Sequence, residues 1–129
     1  MAHHVIISIA SNRNQKYNLA QARKYLDEML LDTTYTKEMW TEAYGEHNGT
    51  IYLNQLVYAT CESTASELVS RLKQTETIMG RTENDRRMGI VEIDLDLMRF
   101  DHQRFHLTDW ERPYIQELVL EIDNSITHR

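Results

Sequence analysis

The stretch Met88-Gly-Ile-Val-Glu-Ile-Asp-Leu-Asp-Leu-Met-Arg-Phe100 constrains the fold most, because it alternates through its middle. At period two, Val91, Ile93, Leu95 and Leu97 point one way and Glu92, Asp94 and Asp96 the other. That pattern predicts a strand with one buried and one polar face. Same-face neighbours on a strand stand roughly 7 Å apart, so Asp94 and Asp96 can share one or two hard cations. A lone D-x-D is more often an outer face in solvent, so the rest of the chain has to decide.

Working outward, the chain yields an ordered set of elements. Val5–Ala10 reads as a strand stopped by Ser11-Asn12, and Asn12–Lys16 as a polar loop. Asn18 is the expected cap of a helix to about Leu31, with Leu19, Ala22, Leu26, Met29 and Leu30 on one face. Thr33–Tyr44 is one β-rich run with Tyr35, Met39 and Ala43 on one face and Trp40 and Tyr44 on the other. After a loop at Gly45–Gly49, Ile51–Thr60 is a second β-rich run. Its expected core face is Ile51, Leu53, Val57 and Ala59, with Tyr52, Asn54 and Tyr58 opposite.

Ser63 or Thr64 opens a second helix, and Thr64-Ala-Ser-Glu67 has the spacing of a capping box, with Leu68, Val69, Leu72 and Met79 as the helix's stripe and Gly80 as its stop. Arg81–Gly89 is a charged loop. Pro113 suits the first turn of a last helix, with Asp109 or Glu111 near its positive end. The order strand, helix, strand, strand, helix, strand, helix is the split βαβ pattern. The fold class is therefore α+β: a ferredoxin-like βαββαβ antiparallel sheet with helices packed on one face.

The chain has 129 residues, expected to form one domain over 1–129. A formal net charge of −6 gives no basic footprint for nucleic acid. Cys61 is the one cysteine, which excludes a disulfide framework and favours a reducing cytoplasm and a plain core thiol. No apolar run is long enough to span a membrane, and the N-terminus lacks the pattern of a leader. G-x-x-x-x-G-K, G-x-G-x-x-G, G-x-S-x-G and C-x-x-C are all missing. His102 and His106 would suit zinc only on a helix, and here a surface role is expected.

Three features remain in combination: Asp94 and Asp96 on a strand, a loop with Arg81, Arg86 and Arg87 before it, and the Tyr52-Leu-Asn54 segment on the neighbouring strand. Paired carboxylates facing arginines suit phosphoryl transfer from a metal-bound nucleotide. An aromatic ring beside an Asn amide suits a flat heterocycle, which the ring stacks on and the amide reads along its edge.

In these residues the chain resembles the 6-hydroxymethyl-7,8-dihydropterin pyrophosphokinases of folate synthesis, over nearly its whole length. Ile9-Ala-Ser-Asn12 resembles the family's opening strand and turn, with Ala10 where Gly is usual. Thr41-Glu-Ala-Tyr44-Gly45 resembles its pterin-side loop without the usual prolines. Tyr52-Leu-Asn54 matches its pterin-binding pair, and Ile93-Asp-Leu-Asp-Leu97 its magnesium strand.

The resemblance implies two Mg2+ held by Asp94 and Asp96, ATP as co-substrate, and a pterin at Thr41, Tyr44, Tyr52 and Asn54. It also implies nucleotide contacts from Glu76, Arg81, Arg87, Leu97 and Thr108, with Arg81 and Arg87 catalytic. The implied reaction is attack of the pterin's hydroxymethyl oxygen on the β-phosphorus of ATP, with AMP leaving. Small-molecule substrates, no nucleic-acid or membrane partner, and a monomer or weak dimer follow. The chain departs from the family at Val91, Met88 and Glu83, and at Leu118 where an aromatic closes the pterin sandwich. A histidine and a later arginine of the family are also missing, which leaves Arg86 and Arg112 as the cations at hand to compensate. Two other classes stay open: a non-catalytic paralogue that binds a heterocycle or nucleotide, and a ferredoxin-like interaction domain that dimerises through its sheet edge.

Overall fold

Alternating runs can bury both faces of a sheet only where helices cover both. The computed structural model describes residues 2–43 and 49–127; Tyr44 and the rest of the expected loop through 48 lie outside the described residues. The elements are β1 (His3–Ser11), α1 (Gln15–Met29), β2 (Leu31–Tyr35), β3 (Met39–Glu42), β4 (Ile51–Cys61), α2 (Ala65–Ile78), α3 (Glu83–Arg87), β5 (Asp94–Phe100), β6 (Gln103–Arg104), α4 (Leu107–Trp110) and α5 (Pro113–Thr127). The sheet runs β2-β4-β1-β5-β6, with β3 also on β4, and the pairings are antiparallel. This is the ferredoxin-like arrangement. None of the described helices is long and apolar enough to cross a membrane.

One face of the sheet carries Val5, Ile7 and Ile9 of β1, Leu53, Val57 and Ala59 of β4, and Leu95 and Leu97 of β5. Leu19, Ala22 and Leu26 of α1 and Leu68 and Leu72 of α2 close over it, and all of these are at most a few per cent exposed. Each buried Leu, Ile or Val contributes about 1.5–3 kcal/mol. Cys61 is buried with them as a free thiol. The capping box forms as expected: the Glu67 N–H donates to Thr64 Oγ1 at 3.2 Å, and the Thr64 N–H to Glu67 Oε1 at 3.0 Å. Gly80 follows α2 at φ +99°, a conformation that favours glycine.

The expectation of helices on one face only is corrected. Ile6, Leu56 and Met98, at the intervening positions of β1, β4 and β5, pack against Ile115, Leu118 and Ile122 of α5. Reading the second face from Tyr52, Asn54 and Tyr58 alone overlooked Leu56 and Met98, so the sheet lies between two helical layers. The cover is partial, because α5 begins at Pro113 and leaves the face beside Asp94, Ala10 and Asn54 open.

Five local expectations change as well. Asn18 is not the cap: Asn14, left-handed at φ 45°, precedes α1, and Asn18 sits in its first turn. There it donates from Nδ2 to Arg13 O at 2.6 Å. The run Thr33–Tyr44 is not continuous, because at Thr36 the chain bonds Leu56 from both backbone N–H and side-chain oxygen, separating β2 from β3. Ile51 lies at the open end of β4 and is 41% exposed, outside the core. The acidic strand starts at Asp94, not Val91, because Val91 is bound by Asn12 instead. The Val91 N–H donates to Asn12 Oδ1 at 2.7 Å, and the Asn12 N–H donates back to Val91 O at 2.9 Å. The charged loop contains α3, capped by Thr82.

Candidate active site at the β5 carboxylates

Strand register assembles the site. Asp94 lies opposite Ala10, Ala10 opposite Asn54, and Asn54 opposite Met39, so one row crosses β5, β1, β4 and β3. Asp96 lies opposite Ser8 in the neighbouring row. Ala10 and Ser8 are small, which leaves a depression between the carboxylates and the Tyr52/Asn54 segment.

Two cavities meet here, and Asp94 and Asp96 line both. The larger, about 750 Å³, lies between α2 and β5 and is walled by Lys73, Glu76, Arg81, Arg86, Leu97 and His106 among others. The smaller, about 220 Å³, lies over the sheet and is walled by Thr41, Tyr52, Asn54, Asp109, Arg112 and Tyr114 among others. The paired acids are therefore the partition between two compartments, one lined with charge and one with an aromatic-amide surface.

The larger cavity is built on the free edge of β5. Among the described residues no strand pairs that edge beyond Asp94 until β6 meets Arg99, so its polar backbone needs side-chain partners. Glu76, 5% exposed, supplies one: its Oε2 accepts the Leu95 N–H at 2.7 Å. Lys73 donates to Leu95 O at 3.0 Å and to Glu76 Oε2 at 3.0 Å. Its ammonium also stands 3.2 Å from Asp96 Oδ1 and 4.0 Å from Asp94 Oδ1. Arg81 bridges Glu76 Oε1 and Asp94 Oδ1, both at 2.9 Å. His106 Nε2 lies 3.8 Å from Asp96 Oδ1.

This wall sets three arginine or lysine cations against four carboxylates, counting Arg86 and Glu83. The surplus negative charge sits on the aspartate pair. Burial by itself would raise the Asp94 carboxyl, but Arg81, a hydrogen bond from Asp96 and Lys73 hold it below its ordinary range. Asp96 goes the other way, raised by burial and then by the Asp94 charge. Burial, then Asp94, also raise the Tyr52 phenol. Two carboxylates that resist joint ionisation, with open space beside them, are a donor set that accepts a hard divalent cation. Magnesium is commonly held by one or two carboxylates completed by phosphate oxygens and water, so this pair fits it.

The structure gathers most of the expected residues and separates others. Asp94, Asp96, Glu76, Arg81 and Leu97 line the larger cavity, and Thr41, Tyr52 and Asn54 line the smaller. Asn54 Nδ2 donates to Met39 O at 3.0 Å and to Thr41 Oγ1 at 2.8 Å, which fixes the amide. Arg87 and Thr108 are exposed and line neither cavity; α3 gives Arg86 to the wall instead. Glu92, expected in one acidic row with the aspartates, precedes β5 and lies 3.7 Å from Arg13. Leu118, on α5, is fully buried against the sheet and does not line the smaller cavity; Tyr114 and Ile115 line that side.

Sequence reasoning missed Lys73, although its i, i+3 spacing to Glu76 on one helix was legible. It gave His106 only a surface role, whereas the left-handed turn before α4 brings it to 3.8 Å from Asp96 Oδ1. Asp109, Arg112 and Tyr114 reach the smaller cavity through the docking of α5, which no local pattern announces.

Residues 6–124 match the profile of the family described as 7,8-dihydro-6-hydroxymethylpterin-pyrophosphokinase (HPPK). The chain is also similar to a folate synthesis bifunctional protein of Arabidopsis thaliana, at 26% identity over 128 residues. That alignment covers 92% of this chain and 26% of the relative, so the chain spans about a quarter of the relative's length.

Proposed function

Because the chain belongs to the 7,8-dihydro-6-hydroxymethylpterin-pyrophosphokinase family, we propose that it transfers pyrophosphate from ATP to the hydroxymethyl group of 6-hydroxymethyl-7,8-dihydropterin. The observation that carries this reading is the placing of Asp94 and Asp96 on the partition between two cavities. A reaction joining two substrates needs its reacting atoms at such a partition.

The triphosphate takes the larger cavity and the pterin the smaller. Tyr52 offers its ring to the flat heterocycle, while Asn54, steadied by Thr41, offers its carbonyl edge. The hydroxymethyl group then points across the partition. Its oxygen forms a bond to the β-phosphorus and gives up its proton to solvent, the bond from that phosphorus to the bridging oxygen of the α-phosphate breaks, and AMP leaves. Asp94 and Asp96 would hold magnesium, which would supply charge neutralisation for the phosphates. Arg81 and Arg86 line the triphosphate side, and Glu76 orients Arg81 from below. Leu97 forms part of the wall there. Arg87 and Thr108 are proposed to reach the nucleotide only once α3 and α4 close over it, which excludes water.

A coupled assay for AMP with hydroxymethyl-dihydropterin, ATP and magnesium tests this reading. AMP formed in step with loss of the pterin supports it; none at saturating substrates overturns it. A second reading, a paralogue that binds without turnover, draws on Glu83 in the cavity wall and on the engagement of Arg81 with carboxylates. Calorimetric binding of nucleotide or pterin with no AMP selects it.

A further inference from the structure

The oxygens suited to a divalent cation already have a cation beside them. The Lys73 ammonium lies 3.2 Å from Asp96 Oδ1 and 4.0 Å from Asp94 Oδ1, on the larger-cavity side of the partition. It must leave those oxygens before they can serve a metal, since two cations at that spacing repel strongly. Arg81 differs in kind: its side chain is 14% exposed and braced by both Glu76 and Asp94. The Lys73 side chain is 47% exposed, on a flexible stem with a compact, rotatable charge. Space for it to swing lies in the same cavity, where a triphosphate would present oxygens.

We propose that Lys73 is an exchangeable counter-ion, neutralising Asp94 and Asp96 when the site is empty and moving onto phosphate oxygens when a divalent cation and nucleotide arrive together. This deepens the pyrophosphokinase reading and rests on its assignment of the larger cavity to a triphosphate. The consequence is coupling. Without nucleotide, Lys73 competes with the metal and has only Glu76, whose Oε2 it already touches at 3.0 Å, to hold it away from the pair, so bare metal binds weakly. With nucleotide the displaced ammonium gains a partner, so metal and nucleotide strengthen one another. Lys73 also supplies a mobile positive charge on a wall where acids outnumber bases.

Removing the charge therefore has opposite effects on two affinities, which a merely structural lysine does not produce. Mn2+ binding is followed by electron paramagnetic resonance in wild type, Lys73→Met and Lys73→Gln, with and without a non-hydrolysable ATP analogue. Lys73→Gln keeps a donor for Leu95 O, and melting curves of both variants establish that they are folded. Without nucleotide, Mn2+ is expected to bind about tenfold tighter in both variants. The analogue with Mn2+ is expected to bind about tenfold weaker. Asp94→Asn abolishes protein-bound Mn2+, leaving the spectrum of Mn2+ free or on the analogue alone, in every background.

Bare Mn2+ binding that is unchanged or weaker overturns the proposal, as does analogue binding that is not weakened. If both shifts appear but wild type forms no AMP from the pterin, the counter-ion role stands and the pyrophosphokinase reading fails.

Discussion

Glu76→Ala removes the side chain that stands in for a neighbouring strand on the β5 edge. Glu76 is 5% exposed and accepts the Leu95 N–H at 2.7 Å, so Ala leaves that donor without an acceptor at a cost of about 1–3 kcal/mol. Arg81, 14% exposed, loses one of its two carboxylates, while Lys73, 47% exposed, relaxes into water at little cost. The total comes to about 3–4 kcal/mol, or a fall in Tm of roughly 10 °C for a chain of this size. Glu76→Gln keeps an acceptor and its volume, so about 1–2 kcal/mol is expected. Urea unfolding of the nucleotide-free protein, followed by the fluorescence of Trp40 and Trp110, measures both. Hydrogen exchange at the Leu95 amide should speed up in Glu76→Ala and hardly change in Glu76→Gln. A Glu76→Ala protein within about 0.5 kcal/mol of wild type would refute the reasoning, because Glu76 would then not be capping the edge.

Asp96→Asn should raise nucleotide-free stability by about 0.5–1 kcal/mol while abolishing AMP formation. Its folded-state pKa is raised, so the neutral form suits the fold and the charge held at neutral pH works against it; a thermal melt showing loss of stability contradicts this. Glu38 behaves oppositely. Burial alone would raise its pKa, but hydrogen bonds from Lys16 and Arg23 lower it below 4.5, its ordinary value. Its contribution, about 1 kcal/mol, is thus present above that value and lost as pH falls through the lowered one. Glu38→Gln should accordingly be less stable than wild type at pH 7 and converge with it in acid; an equal gap at both pH values counts against the pairing. Leu118→Ala should cost 2–5 kcal/mol by opening a cavity under α5, on the usual range of about that size. Its KM for the pterin should hold at a temperature where it stays folded, whereas a raised KM would put Leu118 in the site after all.

Much of the architecture was written in local pattern. The alternation of Ile93-Asp94-Leu95-Asp96-Leu97, the Thr64/Glu67 box and Pro113 each act within a few residues and hold in the structure. The second helical layer was not legible, because Leu56 and Met98 stand among polar residues and are buried only once α5 arrives. The break between β2 and β3 depends on Thr36 finding Leu56, a contact 20 residues away. The same distinction holds at the site. The placement of Asp94 and Asp96 on one face, and of Tyr52 and Asn54 beside them, was legible in residue type and spacing. Arg86, rather than Arg87, reaches the wall because of how α3 turns, and Tyr114 and Arg112 because of where α5 docks. Those placements are tertiary, and no window of sequence contains them.

A crystal soaked with Mn2+, a non-hydrolysable ATP analogue and the pterin tests the central claim most directly. The account predicts anomalous peaks on Asp94 and Asp96, with triphosphate on the α2 side of the partition and pterin on the Tyr52 side. Metal elsewhere, or both ligands on one side of the two carboxylates, would contradict it.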